Sequence, residues 1–251
     1  MCSQADLDFS LKDLTRVRTL TMELAEFSAR AGHDLLGPLN QASALLSLFV
    51  QGNDGGRDSE ARTLLELLQA SAARMQGVVS GVQPYLNIAA TTPSFEAVDM
   101  NTAVASAQLR LEKAIGESAA VIAPEPLPSV SAVGDQMTML FEILIANSIR
   151  FRREQDVPRI RISAERTVPY RAAGNWLFRV EDNGIGIDTQ YREIVFLPFR
   201  RLHGKEYAGA GMGLATAKLI VGLHGGDIWI EPAGSDAPCG TAVLFTVPVS
   251  A

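Results

Sequence analysis

Two cysteines, Cys2 and Cys239, are all that this 251-residue chain contains, too few for a disulfide framework or a cysteine zinc site. A reducing, cytoplasmic setting is the expectation that follows. Positive charge is not in excess: 22 Lys and Arg against 28 Asp and Glu leave a net charge of −6. The broad basic field needed by nucleic acid or an anionic membrane is therefore missing. No uninterrupted apolar run approaches the roughly 18 to 20 residues that cross a bilayer. Asp6, Asp8 and Lys12 also stand where a secretory signal has its apolar core. Neither a nucleic-acid partner nor a membrane is expected. What is present is 47% hydrophobic content, enough over this length for two modest domains with real cores.

Val17, Leu20, Leu24, Phe27, Ala31, Leu35, Leu39, Ala42, Leu46 and Phe49 recur at steps of three or four, which makes them the apolar stripe of a long helix. Glu26, Arg30, His33, Gly37 and Asn40 fall on another face, so His33 points away from the stripe, where an imidazole can act as a nucleophile. Gly37 and Pro38 put two helix-disfavouring residues together, at about 1 and 3 kcal/mol in an ideal helix interior. Such a local violation suggests a kink near a working site. An ordinary surface histidine beside a helix break is the competing reading of this segment alone. Residues 51–58 have turn composition, and Asp58 or Ser59 can cap a second helix. Its stripe, Ala61, Leu65, Leu68, Ala72, Met75, Val79, Val82 and Leu86, has the heptad rhythm of bundle packing. Two such helices leave one side of the pair exposed, so a homodimeric four-helix bundle is expected.

Residues Ala89 to Pro93 read as a linker. Beyond them helical candidates Met100–Ile115, Asp135–Arg153 and Gly213–Leu223 alternate with strand candidates Phe95–Val98, Ala119–Ile122, Ile160–Ala164, Leu177–Glu181, Gly226–Ile230 and Thr241–Val247. This predicts an α/β sandwich, a mixed sheet with helices on one face.

Four features of the second domain are chemically pointed. Asn147 sits in an otherwise apolar helix, where an unpaired amide costs about 1 to 3 kcal/mol; its carbonyl oxygen suits Mg²⁺, and Arg150, one turn on, can reach the same phosphates. Val180 to Ile187 is a strand ending in Asp182 and two spaced glycines, Gly184 and Gly186. That carboxylate can accept from an adenine amino group while the glycines admit the base. Phe196–Tyr207 is an aromatic and basic segment that reads as a mobile cover, with Arg200, Arg201 or Lys205 available to triphosphate. Gly209-Ala210-Gly211-Met212-Gly213 opens a helix, aiming unpaired N–H groups and the helix dipole at phosphate. Taken singly, each has a bland counterpart: a structural asparagine, a glycine turn, a solvated basic loop, a chance glycine run. His203 reads as lid support, and His224, before Gly225-Gly226, as a helix C-terminal residue favoured by the dipole.

With these residues in this order the chain resembles the two-component histidine kinases, in particular the cytoplasmic output module of phytochrome-like, light-regulated kinases. The resemblance rests on His33-Asp34-Leu35, Arg74-Met75-Gln76, the Asn147 box, Asp182–Ile187, Phe196–His203, Gly209–Gly213 and His224–Trp229, and covers nearly the whole length. It implies a dimerisation and phosphotransfer hairpin over residues 1–90 and a Bergerat-type ATP-binding domain over 91–251. It also implies that His33 and Asp34 are catalytic and that Asn147 binds the metal. The nucleotide would be held by Asn147, Arg150, Asp182, Gly184, Gly186, Ile187, Phe199, Gly209, Gly211, Met212, Gly213 and Leu214. Neutral His33 would attack the γ-phosphorus of Mg-bound ATP, and the phosphoryl group would pass to an aspartate of a response regulator. So few residues precede the His33 helix that its regulatory input is expected to be missing or to come from a separate sensor protein.

Three positions depart from the family pattern. Ile143 stands where these kinases usually have a second polar residue, which thins the Mg²⁺ shell. Ala210 lies between glycines where threonine is common. Gly37 replaces the Thr or Asn that holds attacking water in kinases with phosphatase activity, so response-regulator phosphatase activity is expected to be weak. An ATP-hydrolysing clamp of the gyrase, chaperone and mismatch-repair type would need a glutamate at position 143, one turn before Asn147; Glu142 lies about 140° around the helix from Asn147 and faces elsewhere. The other alternative is a dimeric histidine phosphotransferase or adaptor with a vestigial nucleotide domain.

Overall fold

The computed structural model describes residues 39–47, 58–167, 174–202, 210–234 and 239–249, apart from the side chains at 58–62, 64, 73, 74 and 78. His33, Asp34, Gly37, His203 and Gly209 lie outside them. The chain divides into two compact units, Met1–Ser80 and Gly81–Ala251.

In the first unit, residues 39–47 are helical (α1) and a second helix, α2, begins at Asp58 and runs to Ala90. Along α2 the stripe alternates between cover and exposure: Leu68 and Met75 are half-buried, whereas Leu65 and Val79 are 48% and 54% exposed. The division between the units falls inside α2, and the helix continues two residues, Ala89 and Ala90, into the expected linker. Ile88 explains the continuation, because it is buried in the core of the second unit. No helix among the described residues is long and apolar enough to cross a membrane.

The second unit is a mixed sheet with helices on it. Its elements are β1 (Glu96–Asp99), α3 (Met100–Arg110), α4 (Glu112–Ser118), β2 (Val121–Pro124), β3 (Ser129–Ala132) and α5 (Gly134–Arg150), followed by β4 (Arg159–Thr167), β5 (Asn175–Asp182), α6 (Gly213–Leu223), β6 (Ile228–Pro232) and β7 (Thr241–Pro248). The five-stranded sheet has the order β2-β4-β5-β7-β6, parallel at β2/β4 and antiparallel elsewhere, and β1 pairs β3 in a small separate ribbon. Alternation assigns the faces. Ile160, Ile162, Phe178, Val180 and Phe245 meet α3, α5 and α6 in one core, while Arg179 and Glu231 pair at 3.0 Å on the other face. Phe178 and Phe245 stack with centroids 4.9 Å apart, and Phe141 of α5 meets both edge-on. Such aromatic pairs add about 0.5–1.5 kcal/mol each beyond area burial.

The α/β expectation holds, with two local corrections. The helix expected over Met100–Ile115 is broken at Leu111, whose N–H is shared between the Ala107 and Gln108 carbonyls before α4 begins. Its start is well specified, since Asp99 accepts from the Asn101 N–H at 2.9 Å. The strand Ser129–Ala132 was not expected. It is short, follows the proline-rich run Pro124 to Pro128, and gains its identity from pairing with β1.

Candidate functional site

Strand β5 ends in Asp182, and its carboxylate organises everything around it. Oδ1 accepts the backbone N–H of Gly184 at 2.9 Å and that of Thr241 at 3.1 Å, while Oδ2 accepts the Ser148 hydroxyl at 3.0 Å. Burial pushes this carboxyl above the ordinary aspartate value, against the three hydrogen bonds, which favour the ionised form; the neighbouring Glu181 adds a smaller upward push. The turn that follows is built for close backbone approach. A Cβ on Gly184 would stand 2.6 Å from the Phe151 carbonyl oxygen, which also accepts the Ile185 N–H at 3.0 Å. Gly186 has φ +80, which glycine adopts freely. Asn183 fixes the outer side of the turn: its side chain accepts from the Arg159 N–H and donates to the Val157 carbonyl.

Asn147 lies one residue before Ser148 on α5 and is half-buried. Among the described residues its amide has no hydrogen-bond partner. Across from it stands the start of α6. A Cβ on Gly213 would come within 3.3 Å of Ile143 Cγ2 and 3.9 Å of Asn147 Nδ2, so the α6 N-terminus abuts the Asn147 face of α5. No side chain caps α6 at Met212, and the first N–H groups of a helix without a side-chain cap are suited to an anion. Arg150, exposed at the end of α5, makes no ion pair with the described residues. Gly211 has φ +72, and a Cβ there would meet the Phe199–Arg200 backbone; Phe199 itself has φ +61.

The structure thus brings together Asp182, Gly184 and Gly186 at one end, and Asn147, Gly213, Gly211 and Phe199 at the other. Ser148 joins the two ends. Ile187 and Leu214 are half-buried supports packed on the core, and Met212 is buried, with its Cγ 3.5 Å from where a Cβ on Gly81 would be. Sequence reasoning missed Ser148, Thr241 and Gly240. The first carried a signal, a hydroxyl directly after a helix-interior asparagine; the Thr241 contribution is a backbone N–H, which no side-chain motif announces.

Two other polar residues are placed unambiguously. Glu142 pairs with Arg110 of α3 at 3.3 Å, away from Asn147. His224 is no dipole-bound cation: it is buried, its Nε2 accepts the Val133 N–H at 3.0 Å, and Nδ1 donates to the Ile220 carbonyl at 2.8 Å. That pattern requires the neutral ring with the proton on Nδ1. Burial lowers its pKa accordingly, and Phe95 meets the ring edge-on at 5.2 Å.

Residues 132–251 match the family described as histidine kinase-, DNA gyrase B-, and HSP90-like ATPase. Cyanobacterial phytochrome A of Nostoc sp. is 38% identical over 228 residues, covering 90% of this chain and 29% of the relative. Phytochrome-like protein Cph1 of Synechocystis sp. is 34% identical over the same shares. The chain therefore spans under a third of these relatives' length. Among solved structures, the histidine kinase ThkA in complex with the response regulator protein TrrA aligns with a TM-score of 0.68 at 18% identity, over 96% of this chain and 66% of that one. At that identity the likeness is one of fold.

Proposed function

We propose, from the match of residues 132–251 to the histidine kinase-, DNA gyrase B-, and HSP90-like ATPase family and from relatives that include phytochromes and sensor histidine kinases, that the chain is an ATP-dependent protein-histidine kinase of two-component signalling. One observation carries the reading: Asp182 is hydrogen-bonded to Ser148, which adjoins Asn147, and Asn147 in turn neighbours the uncapped α6 N-terminus, where a Cβ on Gly213 would come within 3.9 Å of its amide nitrogen. A base acceptor at one end and phosphate donors at the other match a nucleoside triphosphate laid along α5. Asp182 accepts from the adenine amino group. Gly211, Gly213 and the first N–H groups of α6 hold phosphate, and Arg150 adds a mobile positive charge.

The Asn147 amide suits Mg²⁺, because among the described residues its oxygen has no protein partner and no trio of His, Cys, Asp or Glu side chains gathers. Such a site fits an ion that arrives on the triphosphate and keeps phosphate and water ligands. Bound there, Mg²⁺ would neutralise phosphate charge. His33, in its neutral form, attacks the γ-phosphorus in line and ADP departs; Asp34 orients the ring and manages its proton. The phosphoryl group then passes to an aspartate of a response-regulator receiver domain, the kind of partner present in the ThkA complex. The stripe of α2 supports a homodimer, since Leu65, Val79 and Leu86 are 40–54% exposed and a second copy would cover them. A cytoplasmic setting belongs to the same reading, as does weak phosphatase activity through Gly37.

The clamp-type ATPase is disfavoured by Glu142, which is engaged with Arg110. A phosphotransferase with a vestigial nucleotide domain draws its support from Ile143, which presents a methyl group beside Gly213. Incubation with γ-labelled ATP and Mg²⁺ tests the proposal. Label should appear on the parent, vanish in His33→Ala and fall sharply in Asn147→Ala. Retention in His33→Ala would reject the phosphoacceptor, and an unlabelled parent that also fails to bind ATP would leave the vestigial reading.

A further inference from the structure

Ser148 lies on α5 with its hydroxyl between two acceptors, Asp182 Oδ2 at 3.0 Å and the Leu144 carbonyl at 3.1 Å. The residue is only 6% exposed, so water does not compete for that proton. Asp182 Oδ1 is already filled by two backbone donors, those of Gly184 and Thr241. Oδ2 is the oxygen with capacity to spare, and Ser148 is its only protein donor among the described residues. With the hydroxyl turned to Oδ2, one lone-pair direction on that oxygen is taken and the other is left for a ligand donor.

We propose that Ser148 is a positioning residue for base recognition: its hydroxyl holds Asp182 as an acceptor and leaves a single direction on Oδ2 for the amino group of the nucleotide base. The inference rests on the reading of Asp182 given under the proposed function. It adds a residue that binds no part of the nucleotide itself. The same hydroxyl helps to keep a buried carboxylate ionised, opposing the desolvation that pushes its proton affinity up; Glu181 is the charged group acting on it. Removing the hydroxyl therefore has two linked effects. The acceptor loses its orientation, and it takes up a proton at higher pH.

The test compares the full chain with Ser148→Ala, Ser148→Cys and Asp182→Asn, measuring ATP binding by calorimetry against pH, and autophosphorylation kcat and KM. Losing one hydrogen bond to a charged group should weaken ATP binding about tenfold in Ser148→Ala. KM should rise with kcat kept, and the acid limb of binding should move to higher pH. Ser148→Cys keeps the size and most of the packing with a weaker donor, and should shift both quantities the same way by less. If Ser148→Ala does not fold, Ser148→Cys decides alone. Parental affinity and an unmoved acid limb in the folded serine variants, with Asp182→Asn impaired, would overturn the role of Ser148 and leave Asp182 standing. A parent that binds no ATP, or an Asp182→Asn variant that binds as well as the parent, would instead overturn the reading of the site.

Discussion

Replacing His224 with alanine strands a half-buried backbone group. The Val133 N–H, which precedes α5, is satisfied by His224 Nε2; an orphaned donor costs about 1–3 kcal/mol when fully buried, and the lower half of that range applies at half-buried Val133. The Ile220 carbonyl suffers less, because it also accepts the His224 backbone N–H at 3.2 Å. Loss of the ring's edge-on contact with Phe95 adds about 0.5–1.5 kcal/mol, so a total of roughly 1.5–3.5 kcal/mol is expected. The pH dependence has a definite sign. Burial lowers the His224 pKa in the folded protein, whereas the unfolded chain titrates near the ordinary value of about 6.5. Below that value the unfolded state binds more protons, so stability falls as pH falls, by at most about 1.4 kcal/mol per pH unit. His224→Ala lacks this group, and the gap between parent and variant should narrow as pH falls through about 6.5. Urea unfolding followed by tryptophan emission measures both, because the only two tryptophans, Trp176 and Trp229, lie on β5 and β6 of the second unit. A gap below about 0.5 kcal/mol at neutral pH, or one that stays constant on acidification, would refute the bridging role.

Gly240 has φ +149, and a Cβ there would run into the Asp182 carbonyl; Gly240→Ala should cost about 2 kcal/mol or more of stability and weaken ATP binding, read by calorimetry. Because the Asp182 carboxyl is raised above its ordinary value, ATP affinity should begin to fall on acidification before an ordinary aspartate would protonate, and Asp182→Asn should be weak at every pH with no such limb. The Arg110–Glu142 pair is partly exposed, so Glu142→Gln should change stability by no more than about 1 kcal/mol and leave autophosphorylation at the parental rate; a collapse of ATP turnover would revive the clamp-type reading.

Where periodicity was long, the chain declared its elements. The boundaries of α6 are those read from the glycine loop and apolar run, and the strands at Leu177 and Thr241 came from β-rich segments of ordinary length. The break at Leu111 was invisible, because no glycine or proline marks it and the chain merely changes hydrogen-bond partner there. The strand at Ser129 was invisible for a related reason: four small residues become a strand only opposite β1. His224 misled through its position, since a histidine ending a helix looks like a dipole partner until the Val133 N–H arrives across 91 residues of sequence.

From its residues alone the chain determined which side chains are available for chemistry, the α/β character of its C-terminal half, and the glycines at which backbone passes close. Those properties are local, set by side-chain type and spacing. Tertiary structure decided that Ser148 meets Asp182, that Asn147 faces Gly213, that Glu142 is spent on Arg110, and that His224 is neutral. Each depends on which distant group is brought within about 3 Å, because hydrogen bonding and desolvation act over that range, and a linear sequence carries no such distance.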